Sequence, residues 1–188
     1  MPNPGSSVSR KFVFLDRDGT VNRDPGKRWY VKKPEDFEFI PGSVEAIKRL
    51  SQAGYSIVIF SNQAGVGKGL MTTDDLARID AKMKDGVTKA GGKIDRSLYC
   101  TDAPEAATRR RKPGIGMLEE AVEGGDWDRK ASVVIGDTER DIEAATAFGV
   151  RSVLVLCGKT NAGDEKKFKS RPTHVAADLV SAADWVLR

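Results

Sequence analysis

The chain has 188 residues and a formal net charge of +4, with 39% apolar and 31% charged residues. This composition is typical of an ordinary globular protein with a single core; it requires no second domain and does not indicate a membrane protein. The two cysteines, Cys100 and Cys157, belong to no Cys-x-x-Cys pair, a usage typical of a reducing, cytoplasmic compartment. We expect residues 1–10, rich in Pro, Ser and Gly, to form a disordered tail before one domain over residues 11–188.

Short apolar runs alternate with helical periodicity along the chain, which predicts repeated βα units and hence an α/β fold with a doubly wound parallel sheet. The predicted strands are Phe12–Leu15, Ser56–Phe60, Ser97–Cys100, Ser132–Ile135 and Ser152–Leu156. The predicted helices are Ser43–Ala53, Thr73–Ala90, Gly114–Glu123, Arg140–Phe148 and a last one near Ala177–Leu187. Ser43 and Thr73 are the predicted N-caps of the first two helices.

Two aspartates follow the first predicted strand, in the run Asp16-Arg17-Asp18-Gly19-Thr20. At the carboxyl end of a central parallel strand, Asp16 and Asp18 would enter one cleft, where carboxylates can hold a divalent cation and divide nucleophile and acid–base roles. Arg17 lies between them and, by strand alternation, should point away. An acidic turn is the alternative for this motif taken alone.

A hydroxyl and two amides, Ser61-Asn62-Gln63, follow the second predicted strand. Such a strand end can bind two oxygens of a phosphoryl group. Further along, Pro113 can begin a helix and thereby fix Lys112 at its mouth, where an ammonium would neutralise a phosphoryl group.

Asp137 follows the fourth predicted strand, in Gly136-Asp137-Thr138-Glu139-Arg140-Asp141. Its carboxylate is placed to complete a Mg²⁺ site, since Mg²⁺ prefers hard oxygen ligands. For Asp141 two roles stay open: a partner of the helix dipole, or a residue that supports or joins the metal ligands.

Together these four strand-end motifs resemble the haloacid dehalogenase superfamily of phosphohydrolases, and the Ser-Asn-Gln and Arg-Lys-Pro segments are similar to its heptose-bisphosphate and histidinol-phosphate phosphatase branch. The resemblance implies a sheet ordered 5-4-1-2-3 with a minimal cap. It also implies that Asp16 attacks phosphorus and forms an aspartyl-phosphate. Asp18 would protonate the leaving alkoxide and then deprotonate the attacking water.

The resemblance further implies which groups bind the cofactor and the substrate. Mg²⁺ would be held by Asp16, the backbone carbonyl of Asp18 and Asp137. The phosphoryl group and the rest of the substrate would be bound by Ser61, Asn62, Gln63, Arg111, Lys112, Asp24 and Tyr30. For Trp29 and Tyr30, which occupy the cap position, a platform that faces the substrate and plain packing are equally open.

Members of this branch often carry a zinc-binding loop, and this chain departs from that pattern. Cys100 is present, but Asp102, Thr108 and Arg110 stand where the His and the two later cysteines would be. One thiolate cannot make a structural zinc site. Thr138 also stands where heptose-bisphosphate enzymes often have Lys.

The favoured function is a Mg²⁺-dependent phosphatase of a small sugar phosphate such as D-glycero-D-manno-heptose 1,7-bisphosphate. Histidinol phosphate is the alternative small substrate. A nucleic-acid 3′-phosphatase, permitted by the basic charge, is the alternative with a different partner. A phosphate-sensing domain without turnover is the non-enzymatic alternative. The oligomeric state is left open.

Overall fold

The structure, a computed structural model, describes residues 9–24, 26 and 30–188. Most of the predicted tail, and Trp29, lie outside the described residues. Arg10, which we placed in the tail, is anchored to the domain, because its backbone N–H donates to Asp126 and its carbonyl accepts from Asp128 at 2.7 Å.

Within the described residues, six parallel strands form one sheet in the order β3-β2-β1-β4-β5-β6. The strands are β1 Lys11–Leu15, β2 Tyr55–Asn62, β3 Arg96–Cys100, β4 Val133–Gly136, β5 Arg151–Val155 and β6 His174–Ala176. The predicted parallel sheet and its order 5-4-1-2-3 are therefore confirmed. The sixth strand was missed because three residues are too few to show an apolar run.

Helices cover both faces of this sheet. They are α1 Ser43–Gln52, α2 Ala64–Gly67, α3 Thr73–Lys89, α4 Gly116–Val122, α5 Glu139–Phe148 and α6 Leu179–Val186. Short 3-10 turns occupy Pro34–Asp36, Pro104–Ala106 and Asp164–Lys167. All five predicted helices are present, with ends shifted by one or two residues at most places.

Both predicted N-caps are wrong by one residue. Gly42, with φ of 81°, precedes α1, and Ser43 is already helical. Thr72 caps α3: its hydroxyl accepts from the Asp75 N–H, and the Asp75 carboxylate accepts from the Thr72 N–H. The sequence contains two adjacent threonines, and the capping box with an acidic residue three positions on identifies the first of them.

Side chains of β1 alternate between two apolar layers. Val13 and Leu15 join the layer formed with α1, α3 and α6, while Phe12 and Phe14 join the layer formed with α4 and α5. Burial on both faces explains why the strand has no polar alternation.

Three central strands end at one edge of the sheet, where Leu15 pairs with Ile59 of β2 and with Ile135 of β4. The residues that follow these strands therefore lie side by side. In the described part of the chain, the segments after β1 and β3 at this edge contain only loops and one 3-10 turn each. No helix among the described residues combines the length and the apolar character needed to cross a membrane.

Candidate active site

Asp16, the first residue after β1, is 8% exposed, and its carboxylate is held on one side. Oδ1 accepts from the Ser61 hydroxyl at 2.6 Å and from the Arg17 N–H at 2.7 Å, and it lies 3.0 Å from the Lys112 ammonium. Three donors on one oxygen fix the orientation of the group. None of these contacts engages the second oxygen, which leaves it available as a nucleophile.

Lys112 is buried between two carboxylates. Its ammonium lies 3.0 Å from Asp16 Oδ1 and 2.6 Å from Asp141 Oδ1, and 4.3 Å from the centre of the Phe60 ring. Burial alone would lower the pKa of Lys112, but Asp141 and Asp16 outweigh burial and raise it. The group is therefore a fixed positive charge beside the nucleophile.

The position of Lys112 is set by Asn62 rather than by a helix start. The predicted start of α4 at Gly114 is wrong, since the helix begins at Gly116, beyond Pro113. Instead the Asn62 carboxamide donates to the Lys112 carbonyl at 3.1 Å and accepts from the Lys112 N–H at 3.0 Å. Because both polar ends of this side chain are engaged, we expect Asn62 to position Lys112 and not to bind phosphate through its carboxamide.

Asp137 presents a free carboxylate oxygen at the same edge. It is fully buried; Oδ2 accepts from the Lys159 N–H at 2.7 Å, while Oδ1 has no hydrogen-bond partner among the described residues. A Cβ added at Gly19 or Gly158 would overlap this carboxylate, so two glycines make room for it. An orphaned buried anion of this kind is expected where a cation binds.

Asp16, Asp137 and Asp141 each offer an oxygen within 4.8 Å of the others. Burial, then repulsion from Asp16 and Asp141, raises the pKa of Asp137 to about 8. Burial also raises the pKa of Asp16, although Lys112 opposes it. Crowded carboxylates with raised pKa values need a counter-charge, and an all-oxygen set fits Mg²⁺.

Asp141 is occupied by other partners. One oxygen binds Lys112, and the other accepts from the Thr138 N–H at 3.0 Å and from the Thr138 hydroxyl at 2.6 Å, which caps α5. These contacts fit both roles left open, because Asp141 caps the start of α5 and also supports Lys112. With both oxygens engaged, direct ligation of a metal is disfavoured.

Arg17 contradicts the prediction that it points away from the aspartates. Its guanidinium is fully buried and binds Asp18 through Nε and Nη2 at 2.9 to 3.0 Å. Strand alternation fails here because β1 ends at Leu15 and the chain then turns. Burial would raise the pKa of Asp18, but Arg17, with hydrogen bonds from Gln63 and Asn22, holds it below its usual value.

The predicted substrate residues Arg111, Asp24 and Tyr30 each contact a neighbouring segment of the protein. The Arg111 guanidinium donates to the Asp102 carbonyl at 2.9 Å. Asp24 is 3.0 Å from the Lys159 ammonium and lines, with Gly26, Gly158 and Lys159, a cavity of 280 Å³. The Tyr30 hydroxyl accepts from Lys68 at 3.3 Å. These contacts leave both roles of Tyr30 open.

Sequence reasoning missed the loop after β5. Gly158 makes room for Asp137, Lys159 donates its backbone N–H to that carboxylate, and the Thr160 hydroxyl donates to the Asp137 carbonyl at 2.6 Å. The available signal was the run Gly-Lys-Thr shortly after a buried strand at the same sheet edge.

The positions that depart from the zinc-loop pattern take part in polar contacts. Asp102 accepts from the Thr108 N–H at 2.8 Å and from its hydroxyl at 2.6 Å. Arg110 forms an ion pair with Glu120 and donates to the Tyr99 carbonyl. These contacts tie the loop to β3 and α4 through hydrogen bonds and charge.

Comparisons with known proteins give a consistent result. The HAD-hydrolase-like family pattern matches residues 109–182. A D-glycero-D-manno-heptose-1,7-bisphosphate 7-phosphatase of Chlorobaculum tepidum is 35% identical, over 93% of this chain and 92% of the relative. The D-glycero-beta-D-manno-heptose-1,7-bisphosphate 7-phosphatase of Bordetella bronchiseptica is 34% identical, over 95% and 98%. The crystal structure of the D,D-heptose 1,7-bisphosphate phosphatase from B. bronchiseptica, complexed with magnesium and phosphate, has a TM-score of 0.84, covering 94% of this chain and 98% of that one.

Proposed function

The chain belongs to the heptose-bisphosphate phosphatase branch of the haloacid dehalogenase superfamily, and from this membership we propose that it hydrolyses the 7-phosphate of D-glycero-D-manno-heptose 1,7-bisphosphate. The observation that supports the proposal most is the Asp16 carboxylate, oriented by Ser61 and next to the buried Lys112 ammonium. Relatives with this named activity match nearly the full length of the chain.

In the first step Asp16 attacks phosphorus, the bond to the sugar oxygen breaks, and an aspartyl-phosphate forms. Asp18 gives a proton to the leaving alkoxide. Because its pKa lies below the usual value in the substrate-free protein, it would take up this proton once the anionic substrate is bound beside it. Lys112 stabilises the charge that develops on the phosphoryl oxygens, because a fixed cation needs no reorganisation. The Ser61 hydroxyl, which donates to Asp16 in the free protein, would turn its proton to a phosphoryl oxygen as the Asp16 carboxylate is consumed.

In the second step water attacks the aspartyl-phosphate, and Asp18 takes its proton, so that phosphate leaves and both carboxyl groups return to their starting states. Asp16 and Asp137, with the backbone carbonyl of Asp18, would hold Mg²⁺, which when bound offsets the negative charge of the phosphoryl group.

The remaining assignments belong to the same proposal. Arg111, Asp24 and Tyr30 would face the sugar and its second phosphate. Arg111 adjoins Lys112 in the chain, and Asp24 pairs with Lys159, whose N–H binds Asp137. The protein would act as one domain on a small metabolite in the cytoplasm.

Phosphate release in the presence of Mg²⁺ tests the proposal. Substrates are both anomers of the heptose bisphosphate, histidinol phosphate, other sugar phosphates and a 3′-phosphorylated oligonucleotide. We expect the highest kcat/KM for one heptose bisphosphate anomer. A higher value for histidinol phosphate or for the oligonucleotide would overturn the substrate assignment.

Asp16→Asn provides the matched control. Removal of a nucleophile should lower kcat by a factor on the order of 10⁴ or more. The wild-type enzyme, quenched during turnover, should carry a hydroxylamine-sensitive acyl phosphate that this variant lacks. Turnover by Asp16→Asn at the wild-type rate would refute the nucleophile assignment.

A further inference from the structure

Arg17 is the bulkiest of the fully buried side chains that the structure describes, and no step above uses it. Nη2 donates to both oxygens of Asp18, at 2.9 and 3.0 Å, and Nε donates to Oδ1 at 3.0 Å. Burial of a guanidinium costs free energy that pairing only partly offsets. Its fixed fork, however, orients a carboxylate better than a flexible ammonium does.

Gln63 completes this arrangement. Its Oε1 accepts from Arg17 Nη2 at 3.0 Å, and its Nε2 donates to Asp18 Oδ2 at 2.9 Å. The same Nε2 lies 3.2 Å from the Ser61 hydroxyl oxygen, and that hydroxyl donates to Asp16. A continuous chain of hydrogen bonds therefore links the proposed acid–base to the proposed nucleophile.

Contacts with Tyr99 also hold this hydrogen-bond network in place. The guanidinium carbon of Arg17 lies 5.9 Å from the centre of the Tyr99 ring on β3, and the Tyr99 hydroxyl donates to Asp80 of α3 at 2.7 Å. Gln63 is 2% exposed. Arg17 and Gln63 are thus fixed by packing as well as by hydrogen bonds, and Asn22 adds a third donor to Asp18 at 3.0 Å.

We propose that Arg17 and Gln63 are positioning residues, which hold the Asp18 carboxyl group in a fixed place relative to Asp16 without touching the phosphoryl group. The proposal rests on the proposed function, in which Asp18 transfers the proton in both steps. For Gln63 it replaces the predicted role as a phosphate ligand, because both ends of its carboxamide are already bound. Misplacement of a reacting group by about 1 Å can lower a rate about 100-fold.

Gln63→Leu is the main test, because truncation of Arg17 would leave Asp18 uncompensated and threaten folding. With a sugar phosphate as substrate, we expect Gln63→Leu to lower kcat by about tenfold or more, with KM and inhibition by inorganic phosphate changed by less than about twofold. Gln52→Leu, an exposed position at the end of α1, is the matched control and should keep wild-type kinetics. Arg17→Lys keeps the charge, loses the fork and should resemble Gln63→Leu.

A double mutant separates positioning from other roles. If Gln63 acts through Asp18, then Gln63→Leu should cause no further loss in the Asp18→Asn background. The single-turnover rate with p-nitrophenyl phosphate, whose phenolate leaves without a proton, should fall less in Gln63→Leu than the rate with a sugar phosphate.

Each contrary outcome has a distinct meaning. Additive losses in the double mutant, equal losses on both substrates, or weaker phosphate inhibition at unchanged kcat would overturn the positioning role. Full activity of Asp18→Asn would instead overturn the acid–base assignment on which the proposed function depends.

Discussion

Lys112 is the buried cation that balances the negative charge of two carboxylates in the site. It lies within 3.0 Å of Asp16 and 2.6 Å of Asp141. Lys112→Gln would leave these buried carboxylates without their counter-charge, and we expect a loss of about 3 to 5 kcal/mol in the free energy of unfolding. Urea denaturation at neutral pH without added metal measures it.

Lys159→Gln is the control for this substitution. The Lys159 side chain is 53% exposed, and its ion pair with Asp24 is screened by solvent, so its removal should cost less than about 1 kcal/mol. Equal losses for the two variants would show that Lys112 does not compensate the carboxylates.

The residues of the site differ in how well the sequence predicts them. Four residues of the site lie at the ends of buried strands or next to them: Asp16, Ser61, Lys112 and Asp137. Because a parallel sheet brings strand ends together, the proximity of these residues could be predicted. The orientation of Arg17 could not, because alternation describes a strand and this residue lies beyond it. The contact of Asn62 with the Lys112 backbone depends on the path of a loop that no periodicity encodes.

At the scale of single elements, the start of α3 offers a test of the capping box. Thr72→Ala removes the hydroxyl that accepts from the Asp75 N–H, and we expect the free energy of unfolding to fall by about 1 kcal/mol. Thr73→Ala, one residue further, removes a hydroxyl that makes no cap and should change stability by less than about 0.5 kcal/mol. If chemical denaturation showed a larger loss of stability for Thr73→Ala than for Thr72→Ala, Thr73 would be the cap instead. Phosphate release should be unchanged in both variants.

The strands and helices themselves follow closely from the sequence. Strands such as β1 are buried on both faces, so their apolar runs are continuous and easy to recognise. The ends of helices were less predictable, since adjacent residues such as Gly42 and Ser43 can both begin a helix. The strand β6 was missed because its three residues, one of them His174, depend on β5 for their conformation.

For the molecule as a whole, we expect the carboxylate cluster to make stability depend on pH and on metal. In the metal-free protein, burial and the nearby Asp16 and Asp141 raise the pKa of Asp137 from 3.8 to about 8. The folded state then binds this proton more tightly than the unfolded state does. The contribution of Asp137 to the free energy of unfolding is therefore greatest at low pH and is lost as the pH rises from about 4 to about 8.

Thermal unfolding with EDTA and with Mg²⁺, at several pH values, measures this dependence. Magnesium should raise Tm more at pH 8 than at pH 5. At pH 5 the cation must displace the Asp137 proton in nearly every molecule, whereas at pH 8 only about half of the molecules carry it. At 100 times its Kd the cation would add about 2.7 kcal/mol. Asp137→Asn should flatten the pH dependence and remove the gain from Mg²⁺. If Asp137→Asn kept both the pH dependence and the gain from Mg²⁺, the metal would have to bind elsewhere.

The cradle of Asp137 has a consequence for the synthesis of the protein. Its neighbours on one side, Gly158, Lys159 and Thr160, come from the loop after β5, more than 140 residues after Asp16. A nascent chain on the ribosome therefore cannot complete the pocket until residues 158–160 have emerged. Truncated chains that end before residue 158 would contain every acidic group of the site, and we expect them to be unable to bind the cation.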